Sequence, residues 1–360
     1  MDVLKYKITW KTFLLPVIGI IAFFVYLYLF NVDVLEIIAV AKTMNLTLYS
    51  MAIVFILAET LFYAISWRAL LNFLSVRISV VKSYLYVLYG WYMDIIIPAE
   101  SISGEITRIY LVTREKNGAH GEVVASLVTH RLMGMGINIG SLVAGILLLL
   151  TEGQVGGLIL DLTLVLLIVT SIFLFLLLLL CVKENWTLSI INAIIGLGER
   201  LSRGRWKLTK IKEGVIRAAK IFHDSMREFA HAPKTMIASF VAYVISWLFS
   251  IGVSFLVFLA LGYQIPWSTV IITWSIVIAV KAIPVGVPFE VGLPEITMTT
   301  LYVLLGVPAD IAATATVMSR LLTLWLRFFM GFASQQWLEF KAIAKPKTNT
   351  ENVIPPKLSP

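Results

Sequence analysis

"IPAESISGEIT" (residues 97–107) and "VPFEVGLPEIT" (residues 287–297) decide how this chain folds. Aligned on Pro98 and Pro288, both carry a glutamate two residues on and close with Glu-Ile-Thr, at Glu105 and Glu295. An Arg-Leu pair follows each, Arg131-Leu132 and Arg320-Leu321, at 26 and 25 residues beyond the glutamate. The same polar phrase thus stands twice between apolar runs.

The surroundings are those of an integral membrane protein. The 360 residues are 59% hydrophobic and 14% charged, with a formal net charge of +8 and a mean hydropathy of +0.91; a soluble domain is far more polar. The one cysteine, Cys181, lies in a leucine run, which excludes a disulfide framework and a cysteine metal site. The four histidines do not cluster, and no P-loop, GxSxG or HExxH motif occurs. Neither catalytic residues, metal ligands, cofactors nor nucleic-acid contacts are expected.

About 20 apolar residues cross a bilayer core. By that measure spans are expected at 12–30, 46–70, 122–150, 158–181, 235–262 and 309–338. The first follows three lysines and has no small-residue cleavage site after it, so it reads as a retained anchor. Two further apolar stretches, 83–112 and 267–306, are each broken by a twin motif and read as re-entrant helical hairpins. Irregular backbone at membrane depth is tolerated inside protein or against a watery cavity. The expected fold class is therefore all-α, with about six transmembrane helices and two hairpins.

Charge bias tests this layout. With the N-terminus in the cytoplasm, the inner segments 1–11, 68–82, 100–121, 183–234 and 341–360 carry 3, 3, 3, 11 and 4 basic residues, while the outer segments carry only Lys42. The positive-inside rule then places both termini in the cytoplasm of a multi-pass cell-membrane protein. Three spans separate the hairpins, so they open from opposite faces. The chain divides near residue 152 into two inverted units, 1–152 and 153–340, as in transporters whose interrupted helices meet near the midplane. A relic of tandem duplication without functional symmetry is the bland alternative.

The four remaining bases, Arg131, Lys281, Arg320 and Arg327, fall inside expected membrane segments, with Glu59, Glu100, Glu105, Glu290 and Glu295. Each such base costs about 2.5–3.5 kcal/mol on the insertion scale, which argues for a paired, water-accessible centre. Gly104 and Gly292 permit turns at the hairpin tips beside Pro98 and Pro288. Glu105 and Glu295 open the second arm of each hairpin, where the helix dipole favours an acid whether or not substrate touches it. Arg131 and Arg320 suit phosphate, which guanidinium grips through two parallel bonds; the alternative is an ion pair with the repeat's own glutamate. Arg108 reads as an ordinary inner-surface arginine or a further ligand contact. Glu59 lies mid-span, with Lys281 or Arg327 as its candidate partner.

Within the second unit, Ile211, Val215, Ala218, Phe222, Met226 and Phe229 recur at helical spacing among Lys210, Lys212, Arg217, Lys220 and Arg227. The segment 185–232 is thus a basic amphipathic region, with a second helix over 187–201. It suits an anionic headgroup layer, or else a docking partner. The Pro-rich segment 341–360 reads as a disordered tail.

"PAESISGEITRIYLVTRE" (98–115) with "SLVTHRL" (126–132) resembles the first signature of the lysylphosphatidylglycerol synthase transmembrane, flippase-like family. "PFEVGLPEITMTTLYVLLGVPADIAATATVMSRLLTLW" (288–325) resembles the second, through Pro288, Gly292, Glu295, the Leu-Gly-Val-Pro at 305–308 and Arg320. Phe289 and Glu290 stand where that family usually has glycines. The resemblance covers roughly residues 10–340 and implies movement of a lipid between leaflets by a free-standing member without the aminoacyl-transferase domain. Three readings follow: a flippase or scramblase for an anionic or isoprenoid-phosphate lipid, working without ATP; an accessory subunit for a glycosyl or aminoacyl transferase; or a secondary transporter of a small anion. The expected partners are anionic membrane lipids, with a homo-oligomer or a transferase as further candidates.

Overall fold

The structure, a computed structural model, describes residues 34–97, 102–116, 118–151, 157–201, 209–281 and 292–344. Among them the chain is helical, without strands. The elements are α1 (Val34–Lys42), α2 (Leu46–Phe73), α3 (Val80–Ile96), α4 (Ile102–Glu115), α5 (His120–Thr151), α6 (Gly157–Val182), α7 (Glu184–Leu201), α8 (Thr209–Ala230), α9 (Pro233–Ala260), α10 (Trp267–Lys281), α11 (Leu293–Leu304), α12 (Ala309–Arg320), a π-helical turn (Leu321–Leu326) and α13 (Arg327–Ala344). Four helices, α2, α5, α6 and α9, are long and apolar enough to cross a membrane. The expected last span is one continuous helical run over 309–344 that includes the π turn. The first expected span lies outside the described residues, as do Pro98, Glu100, Pro288, Glu290 and residues 345–360 of the expected tail, whose first residues 341–344 instead continue the last helix.

Local signals set the boundaries. The Asn45 side chain accepts from Thr47 N and Leu48 N at 3.0 and 3.2 Å, satisfying first-turn amides of α2. Ser79 does the same for α3 through Lys82 N. Pro233 starts α9, where a missing N–H costs nothing.

At the centre α2 and α9 pack antiparallel in a constant register. Asn45 N donates to Ala260 O, Ser246 Oγ to Glu59 O at 2.9 Å, and Ser66 and Ser239 exchange hydroxyl-to-carbonyl bonds of 2.8 and 3.0 Å. A Cβ on Gly252 would strike the Phe55 ring. Small residues and hydroxyls at such a seam let backbones approach closely in an apolar medium, where no hydrophobic force separates helix from lipid.

The two interrupted stretches pack crosswise on the ends of the chain's two halves. α3 lies on α13, with Ser334 Oγ donating to Leu85 O at 2.7 Å and Gly331 against Leu88 and Tyr92. α10 lies on α5, with Ser141 and Ser275 hydroxyls 2.5 Å apart and Gly145 against Ile272. Lys82 at the start of α3 pairs with Glu115 at the end of α4, at 2.7 Å, so the two outer ends of that stretch meet. α6 is the most exposed span, lined outward by Leu164, Val165, Ile168, Val169, Ile172 and Phe175.

The sequence places the basic helix α8 in the headgroup layer; the structure seats it on the protein. Ala219, His223, Ser225 and Phe229 are buried, Phe229 stacks on Phe73, and Gly121 of α5 leaves room for Ile221. The reason is geometric: Phe222, Met226 and Phe229 of the apolar stripe meet the matching apolar ends of α2 and α5 and are covered by protein, while Val215 stays exposed.

Candidate functional site

The twin motifs build twin ion pairs of unequal tightness. Arg131 of α5 reaches Glu105 in the first turn of α4, Nη1 to Oε1 and Oε2 at 3.3 and 3.4 Å. Their side chains are 36% and 22% exposed. Arg320, at the end of α12, holds Glu295 in the first turn of α11 through Nε to Oε1 at 2.5 Å, with exposures of 5% and 1%. Both pairs link a hairpin's second arm to the helix that follows it.

Capping explains the inequality. Gly292 precedes α11 with φ of 102°, a conformation only glycine adopts freely. Its N–H donates to Glu295 Oε2 at 2.7 Å, so Glu295 caps its own helix with one oxygen and binds arginine with the other. In the first hairpin another residue caps. Asp94 of α3 accepts from Gly104 N at 2.6 Å and Ser103 Oγ at 2.8 Å across the hairpin, which leaves both Glu105 oxygens to Arg131.

This also corrects the expected role of Gly104. It sits inside α4 with no positive φ, rather than at a turn. Its missing Cβ matters for approach: an added carbon would collide with the Asp94 carboxylate and the Gly90 carbonyl. Asp94 has no counterpart in the second motif, so comparing the repeats did not single it out; its place four residues before Pro98 in an apolar run was the available signal.

Behind the first pair lies a buried polar cluster. Glu59 of α2 meets Arg327 of α13, Oε2 to Nη2 at 2.5 Å, which selects Arg327 over Lys281 as its partner. The Arg327 guanidinium stands 4.5 Å from the Trp91 ring. Trp91 packs on Tyr63, one turn beyond Glu59, and Tyr63 meets His130 edge-on while His130 stacks on Tyr243. Arg108 closes the cluster over Tyr63 and Trp67, at 6.0 and 5.4 Å. It is only 3% exposed, so the inner-surface reading is wrong: α4 turns it inward between aromatic faces, where cation–π attraction offsets part of its desolvation. Nitrogens of Arg108 (Nη1), His130 (Nε2) and Arg327 (Nε) are buried without a hydrogen-bond partner. The sequence missed Tyr63 and Tyr243 because an aromatic residue in a span is usually packing.

Lys281 ends α10 with a half-buried side chain. The hairpin-tip residues Pro98 and Pro288 lie outside the described residues. Among the described residues, no three histidine, cysteine, aspartate or glutamate side chains are grouped to hold a metal ion.

Comparison with known proteins agrees with the motifs. The family model described as the lysylphosphatidylglycerol synthase TM region matches residues 14–331. A UPF0104 membrane protein of Pyrococcus horikoshii is 22% identical over 329 residues, 89% of this chain and 95% of its own length. A UPF0104 membrane protein of Methanothermobacter thermautotrophicus is 26% identical over 152 residues, 41% of this chain and 44% of its own. With nearly the whole helical body matched, twin motifs included, the chain belongs to the lysylphosphatidylglycerol synthase TM region family.

Proposed function

We propose that this protein moves an anionic or isoprenoid-phosphate lipid between membrane leaflets, without ATP, through two half-sites that face opposite sides. The observation that carries the reading is the repeated Glu–Arg pair, loose and half-open at Glu105–Arg131 but tight and sealed at Glu295–Arg320. In this reading a headgroup phosphate competes with each glutamate for its arginine, and the two pairs open in turn.

The inverted repeat that this requires is supported by the packing. α3 and α10 are equivalent in the repeat, as are α13 and α5, and each first arm packs on the other half's last helix. α2 and α9, also equivalent, run antiparallel. The arms contain 17 and 14 residues in the first hairpin, 15 and 12 in the second. At 1.5 Å per residue each falls short of a roughly 30 Å hydrocarbon core. The Lys82–Glu115 pair holds both ends of the first hairpin at one level, as a re-entrant segment needs. In this reading the sequence's charge bias makes that level the cytoplasmic one.

The test is translocation of fluorescent lipids in liposomes, with thermal stability in detergent measured beside it, for Arg131→Lys and Arg320→Lys. Lysine keeps the charge and loses the planar fork. Slower lipid movement at unchanged stability is expected for Arg131→Lys. Full transport by both variants would leave the arginines as structural counter-ions and end the phosphate reading.

A further inference from the structure

The apolar face of α8 is covered by the bundle from Phe222 to Phe229, but that of α7 is not. Around a helix at about 100° per residue, Trp186, Ile190, Ile194 and Leu197 fall within one arc of about 80°. All four are exposed. Leu188, Ile191 and Ile195 lie on the adjoining arc and are half-buried, on the side from which α8 and α6 pack. Asn185, Ser189 and Asn192 share the remaining, polar arc.

α7 is also fixed in place. Thr187 Oγ1 donates to Leu180 O at 2.9 Å, joining it to the end of α6. Glu184 pairs with Arg227 of α8 at 3.1 Å, and His223 of α8 bonds the Cys181 carbonyl. The chain just before α7 is exposed and apolar as well, at Leu178 and Val182 at the end of α6.

From this placement we infer that α7 is an interfacial anchor, lying in the headgroup–acyl boundary of the leaflet at the end of α6 with its Trp186–Leu197 stripe in lipid. The occupant is bilayer lipid for three reasons. The stripe follows directly in the chain on an exposed apolar span, a tryptophan sits where aromatic belts form, and a polar arc is left to face water. α8, whose basic residues suggested the same role, stays on the aqueous side because its own apolar face is already packed from Phe222 to Phe229.

The test uses the full chain in lipid nanodiscs, with Cys181→Ala and a single nitroxide-labelled cysteine. Power-saturation electron paramagnetic resonance then reads contact with oxygen, which enriches in lipid, against a water-soluble nickel chelate. Ile190→Cys and Ile194→Cys should favour oxygen at a depth of about 5–10 Å below the headgroups. Asn192→Cys and Arg217→Cys should favour nickel. Nickel access at 190 and 194 equal to that at 192 would overturn the anchor. Exclusion of both reagents, with dipolar broadening between labels, would overturn it in favour of a second copy on this face. Swapping neutral for anionic lipid then separates apolar insertion, unaffected by the swap, from charge attraction through Lys183.

Discussion

At the scale of single residues, two arginines of matching sequence position are not energetically equivalent. Removing one partner of a buried pair leaves an uncompensated charge and costs about 3–5 kcal/mol, whereas an exposed pair is worth about 0–1 kcal/mol. Arg320→Gln should therefore lower stability severely, since Glu295 stays buried beside it, and Arg131→Gln should change it little. Unfolding of the two variants in one detergent checks the ordering, and equal losses would contradict it. Gly104→Ala should cost about 1–3 kcal/mol, because the new methyl forces Asp94 and the facing carbonyl of Gly90 apart. Gly140→Ala is the control, with open space at its Cβ, and should be neutral or stabilising by up to about 1 kcal/mol. The paired glutamates and arginines were legible in the sequence because the motif repeats. Asp94, Tyr63 and His130 were not, because each is a single residue whose partners come from other helices.

At the scale of elements, window length and apolar run were enough to find α2, α5, α6 and α9 to within a few residues, since a single segment hides its backbone polar groups in lipid only as a helix. What the sequence could not convey is which face of a helix finds protein. The stripe of α8 and the exposed stripe of α7 have the same periodicity, and only the ends of α2 and α5 distinguish them. The central seam between α2 and α9 rests on Ser66 and Ser239, whose hydroxyls each bond the other's carbonyl. Hydrogen bonds between membrane helices are worth about 0.6 kcal/mol on average and about 1.7 at most. Ser66→Ala and Ser239→Ala should each lower stability by an amount in that range, since each removes one hydroxyl-to-carbonyl bond. Losses near zero for both would mean that packing of the small side chains, and not the reciprocal bonds, holds the seam.

At the scale of the whole molecule, contacts between elements sort the chain's connections into two ends. The end of α2, the outer ends of α3 and α4, the start of α5 and the α6–α8 turn gather at one end, tied by Lys82–Glu115, Arg114–Glu339 and His223–Cys181. The starts of α2 and α6 and the ends of α5 and α9 gather at the other, where Asn45 meets Ala260. The Lys82–Glu115 contact brings α3's start and α4's end together, as the proposed non-crossing first hairpin requires. In the proposed orientation the first end is cytoplasmic, so labelling has a definite expected pattern. In a Cys181→Ala background, Thr43→Cys and Gly157→Cys should react with an impermeant maleimide from outside intact cells. Lys116→Cys and His231→Cys should react only after the membrane is opened. All four positions lie in exposed parts of the chain, so silence cannot be blamed on burial. Outside labelling at Lys116 would mean that the first hairpin crosses, and the two half-sites would then face the same way. Outside labelling at His231 alone would reverse α9 against α2, which their shared register forbids, and would therefore count against the fold itself.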